Sequence, residues 1–181
     1  MRRALSILAL LFAMVLIPWL AVALEWGGIE PGVTSLEQVR DRYGAPSKES
    51  RAKVEGYDTI QWIYEGQRAP TGIIRMTVDF GLLTPAGYKP NVVRVFVLEP
   101  KPNIFGRNTV MQGWGVPDGF HRNADGTMTV VWKDGLLATF DTDDQNAVTM
   151  IFSLPQNVPI GTNPPAPPQA APKSGPPDPK R

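Results

Sequence analysis

The sequence predicts an α+β fold in which two tandem αβββ repeats form one antiparallel sheet with both helices on the same face. Two observations carry this prediction. A short helix-like stretch ends in an aromatic-Gly-x-Pro motif twice, at Tyr43–Pro46 and at Trp114–Pro117. Each motif is followed by three runs in which apolar and polar residues alternate, as in strands with one buried face. Residues 26–100 and 101–155 are therefore predicted as the first and second repeats.

The first 23 residues have the layout of a secretory signal peptide. Two arginines precede an apolar run over Ala4–Ile17, Pro18 ends that run, and an Ala-x-Ala triplet closes at Ala23. We therefore expect export with cleavage after Ala23. The alternative is an uncleaved membrane anchor, because the 21 residues of Ala4–Leu24 are long enough to cross a bilayer.

The first helix is predicted over residues 35–43. The stretch Thr-Ser-Leu-Glu matches a capping box, with Thr34 as the N-cap and Glu37 as the residue that reaches back. Apolar residues then recur at helical spacing until Gly44 and Pro46, which end a helix because they favour or impose a non-helical backbone. The corresponding stretch of the second repeat, residues 107–114, is predicted as the second helix.

Three strand-like runs are predicted after each helix, and the order of their residues favours an ancient duplication over the alternative, a chance similarity between two αβββ stretches. When gaps are confined to loops, Trp62 maps onto Trp132 and Phe80 onto Phe140. The predicted strands are 58–65, 72–80 and 91–99 in the first repeat, and GTMTVVWKD, GLLATFD and NAVTMIFSLP in the second.

With the helices on one face, the other face of the predicted six-stranded sheet stays open. Its alternate positions are polar with a few apolar residues, which suits a solvated or partner-binding surface. The candidate partner-binding residues are Gln61, Arg75, Asp79, Arg94, Phe96 and Lys133. The other predicted open-face residues are Ile63, Thr77, Thr129, Val131, Thr139 and Thr149.

The residue types favour a non-enzymatic protein, with no catalytic, cofactor or metal site. The only histidine, His121, has no serine in a G-x-S-x-G context elsewhere in the chain, so we interpret it as a loop residue. The run Asp141–Val148 lacks the glycine and glutamate of a calcium loop and reads as an acidic hairpin turn. The chain has no cysteine, which excludes disulfides and thiolate chemistry.

The net charge limits which class of partner is expected, and the proline content predicts the structure of the C-terminus. The formal net charge is +1 and becomes −1 without residues 1–23, with 16 basic against 17 acidic residues, so no nucleic-acid partner is expected. Residues 156–181 are proline-rich and predicted to be a disordered tail. Their PxxP patterns are read either as docking motifs or as a plain spacer.

The stretch IEPGVTSLEQVRDRYGAPSK resembles the opening of the SmpA/OmlA (BamE-like) domain, found in the small lipoprotein of the outer-membrane β-barrel assembly machine. The matching positions are Gly32, Val33, Thr34, Val39, Gly44 and Pro46. The tandem layout also resembles the β-lactamase inhibitor protein, whose two repeats present a concave sheet to an enzyme. The assembly lipoproteins carry a lipidated cysteine, which this chain lacks.

These resemblances imply two functions for an exported protein. The first is a non-enzymatic interaction module of the bacterial cell envelope, linked to outer-membrane assembly, whose partner is another envelope or secreted protein. The alternative is a secreted inhibitor that binds an enzyme through its open sheet face. The expected location is the periplasm or the extracellular space, and membrane contact is expected only through residues 1–23 if they remain uncleaved.

Overall fold

The structure is a computed structural model that describes residues 24–155 of the 181-residue chain. The predicted signal peptide and the predicted tail lie outside the described residues. The helices are α1 (Leu36–Tyr43) and α2 (Arg107–Trp114). The strands are β1 (Lys48–Val54), β2 (Tyr57–Glu65), β3 (Ile73–Thr84), β4 (Gly87–Pro100), β5 (Gly119–Arg122), β6 (Met128–Trp132), β7 (Leu136–Phe140) and β8 (Ala147–Ser153).

The predicted α+β fold, with a six-stranded sheet packed by helices, is wrong. The described chain is mainly one eight-stranded antiparallel sheet, and its two helices have only eight residues each. Each helix is followed by four strands, because β1 and β5 pair at the two edges of the sheet. The sequence KESRAKV of β1 is exposed along its whole length, so it carries no alternation of buried residues to detect.

The strand order β1-β2-β3-β4-β8-β7-β6-β5 is symmetric about the β4–β8 pair. At the centre of this pair Val97 lies opposite Ile151. Exchanging β4 and β8 about this central pair leaves the pairing of the two strands unchanged. The two halves of the described chain are therefore related by an approximate two-fold rotation about this point. Because β4 and β8 end the two halves, their pairing joins the halves into one sheet.

Matching side-chain contacts define which residues correspond between the halves. Tyr64 Oη donates to the carbonyl of Gly44 at 3.1 Å, and Trp132 Nε1 donates to the carbonyl of Gly115 at 3.2 Å. Both glycines end a helix. Trp132 thus occupies the position of Tyr64 rather than that of Trp62, two residues away from the mapping that the sequence favoured.

The core lies on one face of the sheet, beneath the two helices and the N-terminal segment. Val39 of α1, Val110 of α2 and Ile29 are fully buried in it. Burial of this apolar face is the main source of stability, since each large side chain removed from water contributes roughly 1.5–3 kcal/mol. The largest fully buried strand residues of the core are Trp62, Tyr64, Ile73, Met76, Phe80, Phe96, Leu98, Leu136, Phe140, Met150 and Phe152, and Trp132 is 4% exposed.

Phe96 belongs to this core, and its predicted place on the open face is wrong. It is fully buried and stacks on Phe152 with ring centroids 4.5 Å apart. The reason is a bulge in β4. Val93 and Val95 pair with adjacent residues of β3, which leaves Arg94 as the extra residue and shifts the in-out alternation by one.

Helix α1 begins one residue later than predicted. Its N-cap is Ser35, whose hydroxyl accepts from the Gln38 N–H, while the Gln38 side chain accepts from the Ser35 N–H. Thr34 does not cap the helix, because its hydroxyl accepts from the Glu30 N–H at 2.8 Å and closes the preceding turn. Gln38 therefore takes the reach-back role that the sequence suggested for Glu37.

Replacing Ser35 with alanine is expected to lower the free energy of unfolding by about 1 kcal/mol, because the Gln38 N–H in the first turn of the helix loses its acceptor. Urea unfolding followed by circular dichroism measures the change. Ser50→Ala on the exposed strand β1 is the control and should stay within about 0.5 kcal/mol of the parent. Equal losses in the two variants would contradict the assignment of the cap.

Candidate partner-binding face

The face of the sheet opposite the core, here called the open face, carries a continuous row of side chains across six strands. Neighbouring members lie directly opposite each other, and five of the six are apolar. With strands about 4.8 Å apart, the row is about 24 Å long. This apolar row consists of Ile63, Thr77, Val97, Ile151, Leu137 and Val131.

The side chains of the apolar row are all half-buried rather than buried. The core segments outside the sheet, including both helices and residues Leu24, Trp26 and Ile29, pack on the opposite face. Within residues 24–155, the row is shielded only by its neighbours in the sheet. An antiparallel sheet usually presents polar residues on its solvated face, so an apolar row at this position is a feature of a contact surface.

A cluster of alternating charges flanks the apolar row on the first half of the sheet. Four neighbouring strands, β1 to β4, each contribute one member. Lys48 Nζ lies 2.7 Å from Glu65 Oε1. Arg75 bridges two carboxylates, with Nε 3.3 Å from Glu65 and Nη1 3.3 Å from Glu99. Exposed pairs of this kind add little stability, but the cluster holds charged groups in fixed positions beside the row.

An amide–carboxylate pair flanks the other side of the row. Gln61 Nε2 donates to Asp79 Oδ1 at 2.8 Å, between facing residues of β2 and β3. Asp79 in turn lies opposite Val95 of β4. The open face therefore has an apolar centre between two polar borders, which is the usual anatomy of a protein interface.

The candidate residues predicted from the sequence fall into two groups. Gln61, Arg75 and Asp79 share the open face on neighbouring strands. The others are separate from them: Phe96 lies in the core, and Lys133 follows the end of β6, where its Nζ lies 3.4 Å from Asp118. Arg94 lies half-buried in the bulge, and its Nε is buried with no hydrogen-bond partner.

Sequence reasoning missed the centre of the face, namely Val97, Ile151 and Leu137. The strands that carry the first two, β4 and β8, have apolar residues on both faces, so alternation alone does not tell which set is buried. The available signal was the excess of apolar residues itself. A strand buried on one face needs only every second residue to be apolar.

The charge cluster should control the ionisation of Glu65. The hydrogen bond from Lys48 is the main cause that holds the pKa of Glu65 below its ordinary value of 4.5, and Arg75 adds to it. Lys48→Ala is therefore expected to raise this pKa more than Arg75→Ala does, as followed by carbon-detected NMR titration. Because the folded-state pKa is depressed, the stabilisation is present above about pH 4.5 and is lost as the pH falls through the folded value.

Lys53→Ala is the matched control, because Lys53 pairs with Asp58 on the same strands at 3.4 Å and has no ion pair with Glu65. A shift of the Glu65 pKa in this control as large as in Lys48→Ala would contradict the local origin of the effect.

Residues 24–155 contain neither a metal-binding cluster nor a helix that could span a membrane. Across residues 24–155, no group of three or more His, Asp or Glu side chains is placed to hold a metal ion. Neither α1 nor α2 has the length and apolar character needed to cross a bilayer, and the same part of the chain contains no other such helix.

The two edges of the sheet differ in character. Edge strand β1 is charged, with Glu49 accepting from Trp62 Nε1 at 2.9 Å and contacting Arg51. Edge strand β5 carries Phe120, which is 78% exposed, and Val116 just before the strand is 90% exposed. Charge protects an edge against pairing with other chains, so β1 is protected and β5 is less so.

No family model matches the chain, and no curated protein matches its sequence. Among solved structures, it is similar to a DUF4309 family protein, YjgB, from Bacillus subtilis subsp. subtilis strain 168. The two are 9% identical, and the alignment has a TM-score of 0.45 over 73% of this chain and 87% of that chain. At this level the neighbour carries no information on function.

Proposed function

We propose that the protein is an exported, non-enzymatic interaction module of the bacterial cell envelope, and that its open face binds another envelope or secreted protein. The observation that supports this proposal is the apolar row, centred on the Val97–Ile151 pair and left half-exposed by the described chain. Burying such a row against a partner removes apolar surface from water, which is the main driving force of association.

The two polar borders of the open face determine which partner proteins the face would favour. A stable interface covers about 800 Å² on each partner, more than a single row of side chains provides. A partner must therefore also cover the charge cluster around Arg75 and the Gln61–Asp79 pair. The cluster presents its charges in a fixed alternating order, so a partner with the complementary order would be favoured over others.

The location rests on the first 23 residues, which lie outside the described part of the chain. Mass spectrometry of the protein from cell fractions is expected to find Leu24 as the first residue, in the periplasm or the medium. An intact residue 1 in the membrane fraction would instead support the anchored form. The link to outer-membrane assembly rests on the resemblance of residues 29–48 to the SmpA/OmlA opening, and co-fractionation with outer-membrane components would support it.

A photo-crosslinking amino acid at Thr77, within the apolar row, tests the face directly in cells that export the protein. We expect an adduct at Thr77 and none at Val116, the control position, which is 90% exposed in the loop before β5. No adduct at Thr77, or equal adducts at both positions, would contradict the open face as the binding surface. If the adduct contains an enzyme that the protein inactivates, the inhibitor function replaces the envelope module.

Substitutions on the face should separate binding from folding. Arg75→Ala is expected to leave the free energy of unfolding within about 0.5 kcal/mol of the parent, because the ion pairs of Arg75 are exposed. The same change should weaken the Thr77 adduct. Loss of the adduct together with loss of the fold would say nothing of the face, so each variant is checked by its melting temperature.

A further inference from the structure

The two hairpins of the first half are longer than their counterparts in the second half. Between the paired core residues Phe80 and Val93, the chain makes a twelve-residue excursion over 81–92. The corresponding excursion of the second half, over 141–146, has six residues. The hairpin β1–β2 runs alongside β3–β4 and ends in a tight turn at Glu55 and Gly56, both with positive φ. The ends of these hairpins, residues 53–58 and 83–89, are here called the tip.

The tip projects from the end of the sheet at which the described chain enters and leaves. The last residue pair between β4 and β8 is Val95 with Ser153, and β4 extends eight residues beyond it, over 87–94. At about 3.3 Å per residue this extension is about 26 Å long. Leu24 lies at the same end, where its N–H donates to the carbonyl of Asp134 in the β6–β7 turn at 3.4 Å.

The tip is apolar and aromatic on its outside. Val54, Tyr57 and Leu83 are 41%, 38% and 52% exposed. The Tyr57 ring stacks on Tyr88 with centroids 4.6 Å apart, and the Tyr88 hydroxyl donates to the carbonyl of Asp58, which ties the two hairpins together. The tip is therefore a fixed surface rather than four separate side chains.

The charges of the tip cancel. Lys53 and Lys89 are balanced by Glu55 and Asp58, and Lys53 already pairs with Asp58 at 3.4 Å. Charge complementarity therefore does not select a protein or nucleic-acid partner for the tip. Tyrosines with an apolar ring and a polar hydroxyl, together with lysines on long apolar stems, are instead the residues that favour the boundary between lipid and water.

We propose that the tip inserts into the surface of a phospholipid bilayer through Val54, Tyr57 and Leu83. The inference goes beyond the proposed function, because it concerns a bilayer at the end of the hairpins rather than a protein partner at the apolar row, and either can fail alone. In the anchored form of the protein, in which residues 1–23 stay attached, the position of the N-terminus also supports a bilayer as the occupant. The apolar run that ends at Ile17 is joined to Leu24 by seven residue steps, which span at most about 24 Å.

This reach is close to the length by which the hairpins extend beyond the body of the sheet. An apolar run held in a membrane and the tip can thus meet the same bilayer surface. The tip would then fix the orientation of the module, with the strands of the first half pointing towards the membrane. The open face would then be roughly perpendicular to the bilayer surface, and a protein partner could reach it from the side.

The absence of cysteine from the chain makes a direct test possible. The full chain carrying Leu83→Cys, labelled with an environment-sensitive fluorophore, is mixed with vesicles of zwitterionic phospholipid whose acyl chains are brominated. Thr142→Cys is the matched control, because Thr142 is exposed in the shorter hairpin turn at the opposite end of the sheet. We expect a blue shift and bromine quenching at Leu83 that are several times stronger than at Thr142.

Further outcomes distinguish the bilayer from other occupants of the tip. The quenching should not change when salt is raised, because the charges of the tip balance. A Val54→Asp change in the Leu83-labelled chain should weaken it, with the fold checked by near-ultraviolet circular dichroism. Equal quenching at Leu83 and Thr142 would overturn the proposal. A blue shift at Leu83 that depends on protein concentration and needs no vesicles would overturn it in favour of a second copy of the chain.

Discussion

Replacing Trp62 with alanine is expected to lower the free energy of unfolding by about 3–5 kcal/mol, as truncation of a large buried aromatic residue does. Trp62 is fully buried and packs edge-to-face on Phe80 with centroids 5.0 Å apart. Its Nε1 donates to Glu49, and the guanidinium of Arg40 in α1 lies 5.0 Å from the ring centroid. The change would therefore remove a packed core side chain and loosen both α1 and the edge strand β1.

Equilibrium urea unfolding measures this loss, and two control variants separate its causes. Trp62→Phe keeps an aromatic ring in the core but loses the second ring of the indole and the hydrogen bond to Glu49, so it should cost less than alanine. Arg75→Ala on the opposite face should cost almost nothing. If Trp62→Ala lowers the free energy of unfolding by less than about 1 kcal/mol, Trp62 is not a packed residue of the core.

Replacing Gly135 with alanine is the second change for which we expect a large loss, of about 3–5 kcal/mol, from backbone strain and overpacking together. Gly135 has φ +111°, a conformation that side chains rarely adopt. A Cβ atom here would lie against the carbonyl oxygen of Ser153, closer than real Cβ atoms approach any backbone atom. Because this obstacle is the β8 backbone, it cannot rotate away as a side chain would.

The hydrogen bond of Gly135 to β8 explains why its replacement should lower the stability of the whole sheet rather than of one turn. The Ser153 N–H donates to the carbonyl of Gly135 at 2.8 Å, which closes the sheet at the end of β8. Gly56→Ala is the matched control, because Gly56 also has a positive φ, +86°, but nothing lies within 4 Å of the added Cβ. Thermal unfolding should therefore find a much smaller loss for Gly56→Ala, and similar losses in the two variants would mean that strain alone, without the clash, sets the cost.

The candidate face could be predicted from the sequence only in part. Gln61, Arg75 and Asp79 could be assigned to one face, because β2 and β3 alternate regularly between apolar and polar residues. Phe96 was placed on the wrong face, because the bulge at Arg94 has no mark in the sequence. A bulge is decided by pairing with the neighbouring strand, here the opposition of Val93 and Val95 to adjacent residues of β3.

Local signals in the sequence were enough to specify the two helices. Both helices lie within one residue of their predicted bounds, because caps, glycine stops and prolines act on the backbone next to them. The cores of β2 and β3 were likewise visible from alternation, since period-two burial is a property of one strand.

The number of strands, eight, and the pairing of Val97 with Ile151 at the centre of one sheet became visible only in the folded chain. The folded chain also shows that Trp132 takes the place of Tyr64, and that the tip and Leu24 lie at the same end. These features depend on hydrogen bonds between backbone groups far apart along the chain. All residues except proline carry the same backbone donors and acceptors, so side-chain patterns do not specify which of them pair.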